Sequence, residues 1–375
     1  TVQGVGFRPF VYRLAASLEL EGSVANGPEG VTIEVSGPRA RLDAFLERLP
    51  QEGPPGARIN QLSAAAIATE GGLGPGFRIQ RSEPVAGARL GLVQADLVTC
   101  SSCLAEVLEP GNRRHRYPFT SCAECGPRFS IVEGLPYERG RTTLRSFPLC
   151  ERCQAEYEDP SERRFHAESI SCPSCGPSLV AWAAGERLAE GGAALAAALR
   201  ALAGGGVIAL KGLGGWQLVC LADCAEAVER LRRWKGRPRK PLALMAPSPA
   251  AVRRELSLSE LEERALTSPA GPIVLLRGSP GDAVCAGVAP GIALLGVMLP
   301  SSPLHHLLVG DLGRWLVVTS GNLEGEPTIT DDLEARRVLG PGVDLVLGHG
   351  RAIARRADDS LVRAAAGTLV LLRRG

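Results

Sequence analysis

Four CxxC pairs constrain this chain more than any other feature in it. Cys100/Cys103, Cys122/Cys125, Cys150/Cys153 and Cys172/Cys175 account for eight of its eleven cysteines, and in each half of the segment eighteen residues separate one pair from the next. A CxxC turn presents two thiolates from one tight loop, and two such knuckles can close a tetrahedral site. The spacing therefore predicts two four-cysteine zinc sites, Cys100, Cys103, Cys122, Cys125 and Cys150, Cys153, Cys172, Cys175. Both are expected to be structural, because four thiolates leave no open position. Interleaved pairing of the four knuckles satisfies the same spacing. Iron–sulfur ligation and thioredoxin-like redox pairs fit it less well. The flanks repeat as well: Arg113-Arg114-His115-Arg116-Tyr117 and Arg163-Arg164-Phe165-His166 precede the second knuckles, and Cys-Gly-Pro closes each half at 125–127 and 175–177. Spacing and flanks together read as two copies of one small unit.

The compartment follows from the same cysteines. Thr1 to Phe10 shows no basic segment leading into an apolar stretch, so a secretion signal is not visible. Eight cysteines in register then point to thiolates on metal in a reducing cytoplasm rather than to disulfides. No apolar run reaches the eighteen residues of a membrane span. The remaining cysteines, Cys220, Cys224 and Cys285, sit among apolar residues and read as core thiols.

At 375 residues, with 45 glycines and 28 prolines, the chain exceeds one ordinary core. Three regions are expected: 1–82, 96–180 and 191–375, with a polar linker over Pro84–Ala95. In the first, Arg8–Leu20 carries a helical stripe opened by Pro9, and Val31–Val35 alternates as a strand. Pro38–Leu49 reads as a second amphipathic helix, and Ala57–Leu62 and Phe77–Ile79 as further strands. This is the β-α-β-β-α-β split motif of ferredoxin-like folds, with its first strand almost wholly missing. The third region alternates helical patterns with short apolar runs: Val207–Leu210, Leu242–Met245, Ile273–Leu276, Leu316–Val318, Leu345–Leu347 and Leu369–Leu372. An alanine-rich helix, Ala193–Ala203, precedes the first. The fold class expected is α/β multidomain, ending in an α/β domain with a twisted sheet of mixed direction.

Two further clusters suggest ligand chemistry. In Gln3-Gly4-Val5-Gly6-Phe7-Arg8, two glycines let backbone N–H groups converge on an anion at a helix N-terminus, where Arg8 can add a bidentate grip on phosphate. A simple strand-to-helix turn would look similar. Asn26-Gly27 is, on its own, a hairpin turn signal. Arg232 to Lys240 holds six basic residues in nine positions, which suits a triphosphate or a nucleic-acid backbone, or merely a solvated face. Its prolines and its passage straight into an apolar strand favour a nucleotide site. Thr319-Ser320-Gly321-Asn322 places hydroxyls and an amide at a strand end. His305 and His306 diverge on a helix, so one is expected to pack or cap. Asp358 and Asp359 are either Mg2+ ligands or an exposed carboxylate pair.

TVQGVGFRPFV, at residues 1–11, resembles the signature of acylphosphatases, a likeness that implies a catalytic role for Arg8 and assigns Asn26 to orienting the attacking water. Lys235, Arg237, Ser320 and Asn322 match the KxR and SxN elements of the YrdC-like family, which makes acyl-adenylates from ATP, and Lys240-Pro241 fits that pattern. Lys211–Trp216, Leu299-Pro300 with Pro303–His306, and Asp358–Arg363 resemble the versions found in HypF proteins, although Ser301-Ser302 stands where those carry an aromatic residue and a threonine. Acylphosphatase-like, tandem finger and YrdC-like segments in this order resemble the hydrogenase-maturation carbamoyltransferases of the HypF family, without their transferase domain. The resemblance implies hydrolysis of carbamoyl phosphate to carbamate, then ATP-dependent formation of carbamoyl-adenylate with Mg2+, in which Lys235, Arg237, Lys240, Ser320 and Asn322 bind ATP and carbamate. In the family the carbamoyl group passes to the C-terminal cysteine of HypE. Two other functions compete with this: a zinc-containing RNA-binding scaffold, nucleic acid being the less favoured partner, and threonylcarbamoyl-adenylate synthesis.

Overall fold

Alternate residues of the strands in the C-terminal half are apolar on both faces, and that pattern dictates a sheet covered on both sides. The computed structural model describes residues 2–27, 30–54, 56–67, 74–80, 93–278 and 281–375. They form two compact units, one of residues 1–96 with 121–176, the other of 97–120 with 177–375.

The smaller unit begins with helix α1 (Phe7–Ser17), strands β1 (Glu21–Asn26) and β2 (Val31–Ser36), helix α2 (Arg39–Gln51) and strand β3 (Phe77–Ile79). The sheet order is β2-β1-β3, with β1 antiparallel to β2 and parallel to β3. Phe7, Val11 and Leu14 of α1 and Phe45 and Leu49 of α2 bury against Val24 and Phe77 of the sheet. This is the split motif from its first helix onward. Ala57–Leu62 is not a strand. Ala57 and Ile59 do pack on the core. The sheet, however, offers the segment no ladder partner among the described residues, and without one the backbone stays irregular. Of the expected linker, residues 84–92 lie outside the described residues.

The two CxxC units have the same backbone. Helix α3 (Ser101–Leu108) and helix α4 (Glu151–Glu158) each start just after the first cysteine of their unit. Arg116 and His166 occupy the same left-handed conformation, and their amides donate to Val107 O at 2.7 Å and Tyr157 O at 2.9 Å. The matching sequence thus folds twice into one local structure.

In the larger unit a hairpin of β4 (Leu179–Ala183) and β5 (Glu186–Glu190) leads into helix α5 (Gly191–Ala203). The strands that follow are β6 (Ile208–Lys211), β7 (Trp216–Leu221), β8 (Leu244–Met245), β9 (Ile273–Arg277), β10 (Leu294–Met298), β11 (Leu316–Ser320), β12 (Leu345–His349), β13 (Leu361–Ala365) and β14 (Thr368–Arg373). Helix α6 (Ala225–Lys235) follows β7, α7 (Pro249–Glu255) and α8 (Glu260–Leu266) follow β8, and α9 (Pro303–Leu312) follows β10. The strand order is β14-β13-β9-β10-β8-β11-β7-β6-β12-β4-β5, with parallel and antiparallel pairs mixed. The alternation is strict. Ala209, Trp216, Leu218, Cys220, Val317 and Val346 face one core with α6, α7 and α8. Ile208, Leu210, Val219, Leu221, Val318 and Leu347 face the other with α5 and α9. Each Val, Leu and Ile among them contributes roughly 1.5–3 kcal/mol on burial, so the three layers supply a stable platform for loops at the strand ends. No helix among the described residues is long and apolar enough to cross a membrane.

Candidate functional sites

The cysteines form two groups of four. Within each, the sulfur atoms lie within 4.8 Å of one another, in Cys100, Cys103, Cys122, Cys125 and in Cys150, Cys153, Cys172, Cys175. Measured sulfur separations are 3.8 Å for Cys122–Cys125 and 3.7 Å for both Cys150–Cys172 and Cys172–Cys175. A tetrahedron with Zn–S bonds of about 2.3 Å has S···S edges of roughly 3.8 Å, whereas a disulfide would bring the sulfurs to about 2.05 Å. The spacing fits one zinc per group, and the pairing is sequential rather than interleaved. Backbone amides reinforce the knuckles: Cys103 N donates to Cys100 Sγ and Glu124 N to Cys122 Sγ, each at 3.4 Å. Such N–H···S bonds favour the thiolate form that metal binding needs.

In the smaller unit a cavity opens at the start of α1, lined by Gly4, Gly6, Arg8, Asn26, Arg128, Tyr137, His166 and Glu168 among others. Gly4 and Gly6 have φ of +79° and +72°, and a Cβ at Gly6 would meet Ala123 Cβ at 3.3 Å, so both positions require glycine. The free amides at the start of α1 and its dipole face this loop. Arg8 and Asn26 come together here: Arg8 Nη2 and Asn26 Nδ2 both donate to the Tyr137 carbonyl, at 3.4 Å each. Asn26 Oδ1 is buried without a hydrogen-bond partner, which leaves an acceptor available to a water molecule or ligand. Arg8 also donates to Glu168 Oε1 at 2.9 Å.

Residues in and around this cavity to which the sequence reading gave no role there support it. The Arg128 side chain donates to the carbonyls of Gly4, Pro127 and Cys122 and to Ser169 Oγ, and so fixes the glycine loop. Gln3 Oε1 accepts from Tyr137 N at 3.2 Å, while its Nε2 donates to Gly27 and Gly30 O. Burial, and then the Arg8 charge, hold His166 down to about 4, so its imidazole is neutral at physiological pH. Comparison of the two cysteine repeats could have flagged part of this wall: where the first has Arg116-Tyr117-Pro118, the second has His166-Ala167-Glu168.

In the larger unit the basic cluster sorts into distinct roles. Arg232 is buried and donates to the carbonyls of Gly287, Arg237, Lys240 and Val288, so it shapes the loop. Lys235 closes α6 ahead of Gly236, whose φ of +65° ends the helix. Its buried Nζ donates to Ser320 O at 2.5 Å, Asn322 O at 2.8 Å and Asn322 Oδ1 at 3.1 Å, and Ser320 Oγ donates to Asn322 Oδ1 at 2.6 Å. Lys235, Ser320 and Asn322 therefore meet at the end of β11. Arg237 is partly buried, with Nε donating to Lys240 O at 3.3 Å, and the Lys240 side chain is exposed. Burial, followed by the Arg237 charge, lowers Lys235 to about 8.

The remaining sequence candidates make the following contacts. His305 is buried, its Nε2 donating to Gln217 Oε1 at 3.0 Å and its Nδ1 accepting from Ser301 Oγ at 3.1 Å. Ser302 caps α9 by accepting from His305 N. Asp358 pairs with Arg373 at 3.3 Å, and neither it nor Asp359 belongs to a cluster of three or more potential metal ligands among the described residues. Cys220 is buried in the core beneath the sheet, with Cys224 and Cys285 partly buried against it.

A glycine loop, paired cysteine knuckles and a lysine at a strand end make up the candidate sites of a multidomain protein, and comparison with known sequences gives each part a family. Residues 1–79 match the acylphosphatase family, 99–132 and 149–181 the HypF finger, and 200–375 the family of Sua5, YciO and YrdC proteins described as telomere recombination. The carbamoyltransferase HypF of Rhodobacter capsulatus is 48% identical over 364 residues, 96% of this chain and 47% of that protein. That of Synechocystis sp. is 46% identical over 374 residues, 100% of this chain and 48% of its own length. A crystal structure of full-length HypF in the phosphate- and nucleotide-bound form superposes with a TM-score of 0.92 at 38% identity, covering 100% of this chain and 48% of that one. The chain belongs to the HypF family. It spans about half the length of the curated relatives it matches.

Proposed function

We propose that this chain carries two half-reactions of a carbamoyltransferase that serves hydrogenase maturation: carbamoyl phosphate is hydrolysed to carbamate and phosphate, and the carbamate is activated by ATP as carbamoyl-adenylate. Residues 1–82 would house the first step, 191–375 the second, and 96–180 two structural zinc ions. The observation that carries the reading is the convergence of Arg8, Asn26 and the Gly4–Gly6 loop in one cavity, with the Asn26 Oδ1 acceptor unsatisfied. The loop amides and Arg8 hold the phosphoryl group, and Asn26 orients the water that attacks phosphorus. The P–O bond to the acyl group breaks, its electron pair leaving on the carbamate oxygen. In the larger unit a carbamate oxygen attacks the α-phosphorus of ATP and pyrophosphate leaves. Lys235, Arg237 and Lys240 neutralise the phosphates and their Mg2+-bound charge, while Ser320 and Asn322 orient carbamate. The phosphate- and nucleotide-bound form of a full-length relative supports a reading in which phosphate and a nucleotide are both bound. Onward transfer to the C-terminal cysteine of HypE, the family's acceptor, would complete the reaction in the cytoplasm.

The test is pyrophosphate release from ATP. It is expected to require carbamoyl phosphate and to be lost in Lys235→Ala. Release driven by bicarbonate and threonine instead would replace this reading with threonylcarbamoyl-adenylate synthesis, and salt-sensitive RNA binding without release would replace it with a scaffold.

The lowered Lys235 adds a pH signature. An ammonium that titrates near 8 must be charged to hold a triphosphate, so nucleotide affinity is expected to fall as pH rises through about 8. Binding between pH 8 and 9 should take up a proton, up to about one per nucleotide. Calorimetry in buffers of different ionisation enthalpy measures this uptake, and Lys235→Ala should abolish it.

A further inference from the structure

The second cysteine repeat differs from the first at the residues that line the anion cavity. Residues 151–170 reproduce the secondary structure of 101–120 position for position, so the two copies can be aligned without a gap. At aligned positions Glu168 replaces Pro118, Ala167 replaces Tyr117 and His166 replaces Arg116. A scaffold that needed only its zinc would have no use for a buried carboxylate at this place. Glu168 is 3% exposed. It accepts from Arg8 Nη2 at 2.9 Å, from Arg139 N at 2.9 Å and from Tyr157 Oη at 3.0 Å. Tyr157 and Arg139 thus anchor one end of the carboxylate while the other grips the guanidinium. Arg8 Nη1 has only Glu138, at 3.7 Å, beyond hydrogen-bonding range. Its Nε and Nη1 therefore have no hydrogen bond among the described residues.

We propose that Glu168 is a positioning residue for Arg8: it pins Nη2 of the guanidinium and tempers its charge, leaving the Nε and Nη1 N–H donors to take the phosphoryl oxygens of a small acyl phosphate. The second cysteine repeat is in this way part of the anion site as well as a fold-stabilising unit. The neutral His166 and the small Ala167 complete the wall that the acyl group faces, which suits a compact, uncharged acyl such as carbamoyl. The proposal deepens the reading of the cavity as an acyl-phosphate site and rests on it. Burial pushes the Glu168 carboxyl up, opposed first by the Arg8 charge and then by the Tyr157 hydroxyl, as expected of a carboxylate whose ionisation depends on this partner.

Glu168→Gln separates a positioning role from a structural one, because it keeps size and removes charge. With the carboxylate gone, the guanidinium is more positive and less fixed. Inorganic phosphate should bind about tenfold tighter, the size of effect expected from losing one adjacent anion. At the same time kcat for carbamoyl phosphate should fall about 10- to 100-fold without a rise in KM, since misorientation affects the transition state. Glu168→Asp should recover part of kcat and return phosphate affinity to the parent value. Unchanged kcat and phosphate affinity in Glu168→Gln would overturn the proposal. So would a joint loss of phosphate binding, kcat and zinc, which marks a collapsed repeat. Phosphate affinity is read by calorimetry and needs no turnover. If the parent chain fails to hydrolyse carbamoyl phosphate, the function proposed above falls, while the calorimetric comparison still decides the role of Glu168.

Discussion

Cys153→Ala should leave the chain with one zinc in place of two and unfold the second cysteine repeat. Cys153 is fully buried, and around the cysteines its repeat packs a small apolar cluster of Ala167 and Ile170 with Ala123 of the first repeat. A structural zinc contributes about 10–16 kcal/mol of apparent folding free energy at neutral pH, against a whole-domain net of roughly 5–15 kcal/mol. The cluster cannot make up such a loss, so the effect should exceed that of any single apolar truncation. The loss should spread to the anion cavity, because His166, Ala167 and Glu168 all belong to this repeat. Metal content by atomic absorption, with hydrogen exchange over residues 150–176, measures both. A variant retaining two zinc ions and full protection of that segment would show that the cysteines are not the ligands. Chelation of the parent chain should produce the same loss of protection.

The second large effect is expected at Arg8. Removing one preorganised donor from a developing anion typically costs about 10²–10³ in kcat. Arg8→Ala should lose at least that for hydrolysis of carbamoyl phosphate, and it also takes away the cation hydrogen-bonded to the buried Glu168 carboxylate, so stability should drop as well. Arg8→Lys keeps the charge but cannot hold Glu168 with one nitrogen while presenting others in a fixed plane to phosphate, so it should not restore the rate. Neither variant touches the Lys235 site, so pyrophosphate release should survive when carbamate is supplied directly. Phosphate release at the parent rate in Arg8→Ala would remove the arginine from the reaction.

How much of this was legible in the sequence depends on how local each signal is. The cysteine knuckles were legible because CxxC geometry is set within four residues and repeated along the segment. Lys235, Ser320 and Asn322 were legible as a group only through family resemblance, since more than eighty residues separate the lysine from its partners. Arg232 and Lys235 look alike in a run of basic residues. Only the tertiary carbonyls around Arg232 show that it builds the loop. Strand β10 and the β4–β5 hairpin are not evident from the sequence. The hairpin turns on Ala184-Gly185, with φ of +49° and +85°, and alanine at the first position lacks the Asn-Gly or Asp-Gly signature of such turns. Ala57–Leu62 failed the other way: apolar residues can pack on a core, but a strand also needs a neighbour. Glu168, Arg128 and Tyr137 could not be assigned to the cavity from sequence, because each reaches it from more than a hundred residues beyond the loop it serves.

The central claim is that one chain converts carbamoyl phosphate and ATP into carbamoyl-adenylate, and isotope tracing tests it most directly. Carbamoyl phosphate carrying 13C at its carbonyl is incubated with ATP, Mg2+ and the zinc-loaded chain, and the nucleotides are analysed by mass spectrometry after rapid quenching. The account predicts a 13C-labelled carbamoyl-adenylate that depends on both substrates and disappears in Arg8→Ala and in Lys235→Ala. Hydrolysis of carbamoyl phosphate with no labelled adenylate, while ATP remains intact, would contradict it.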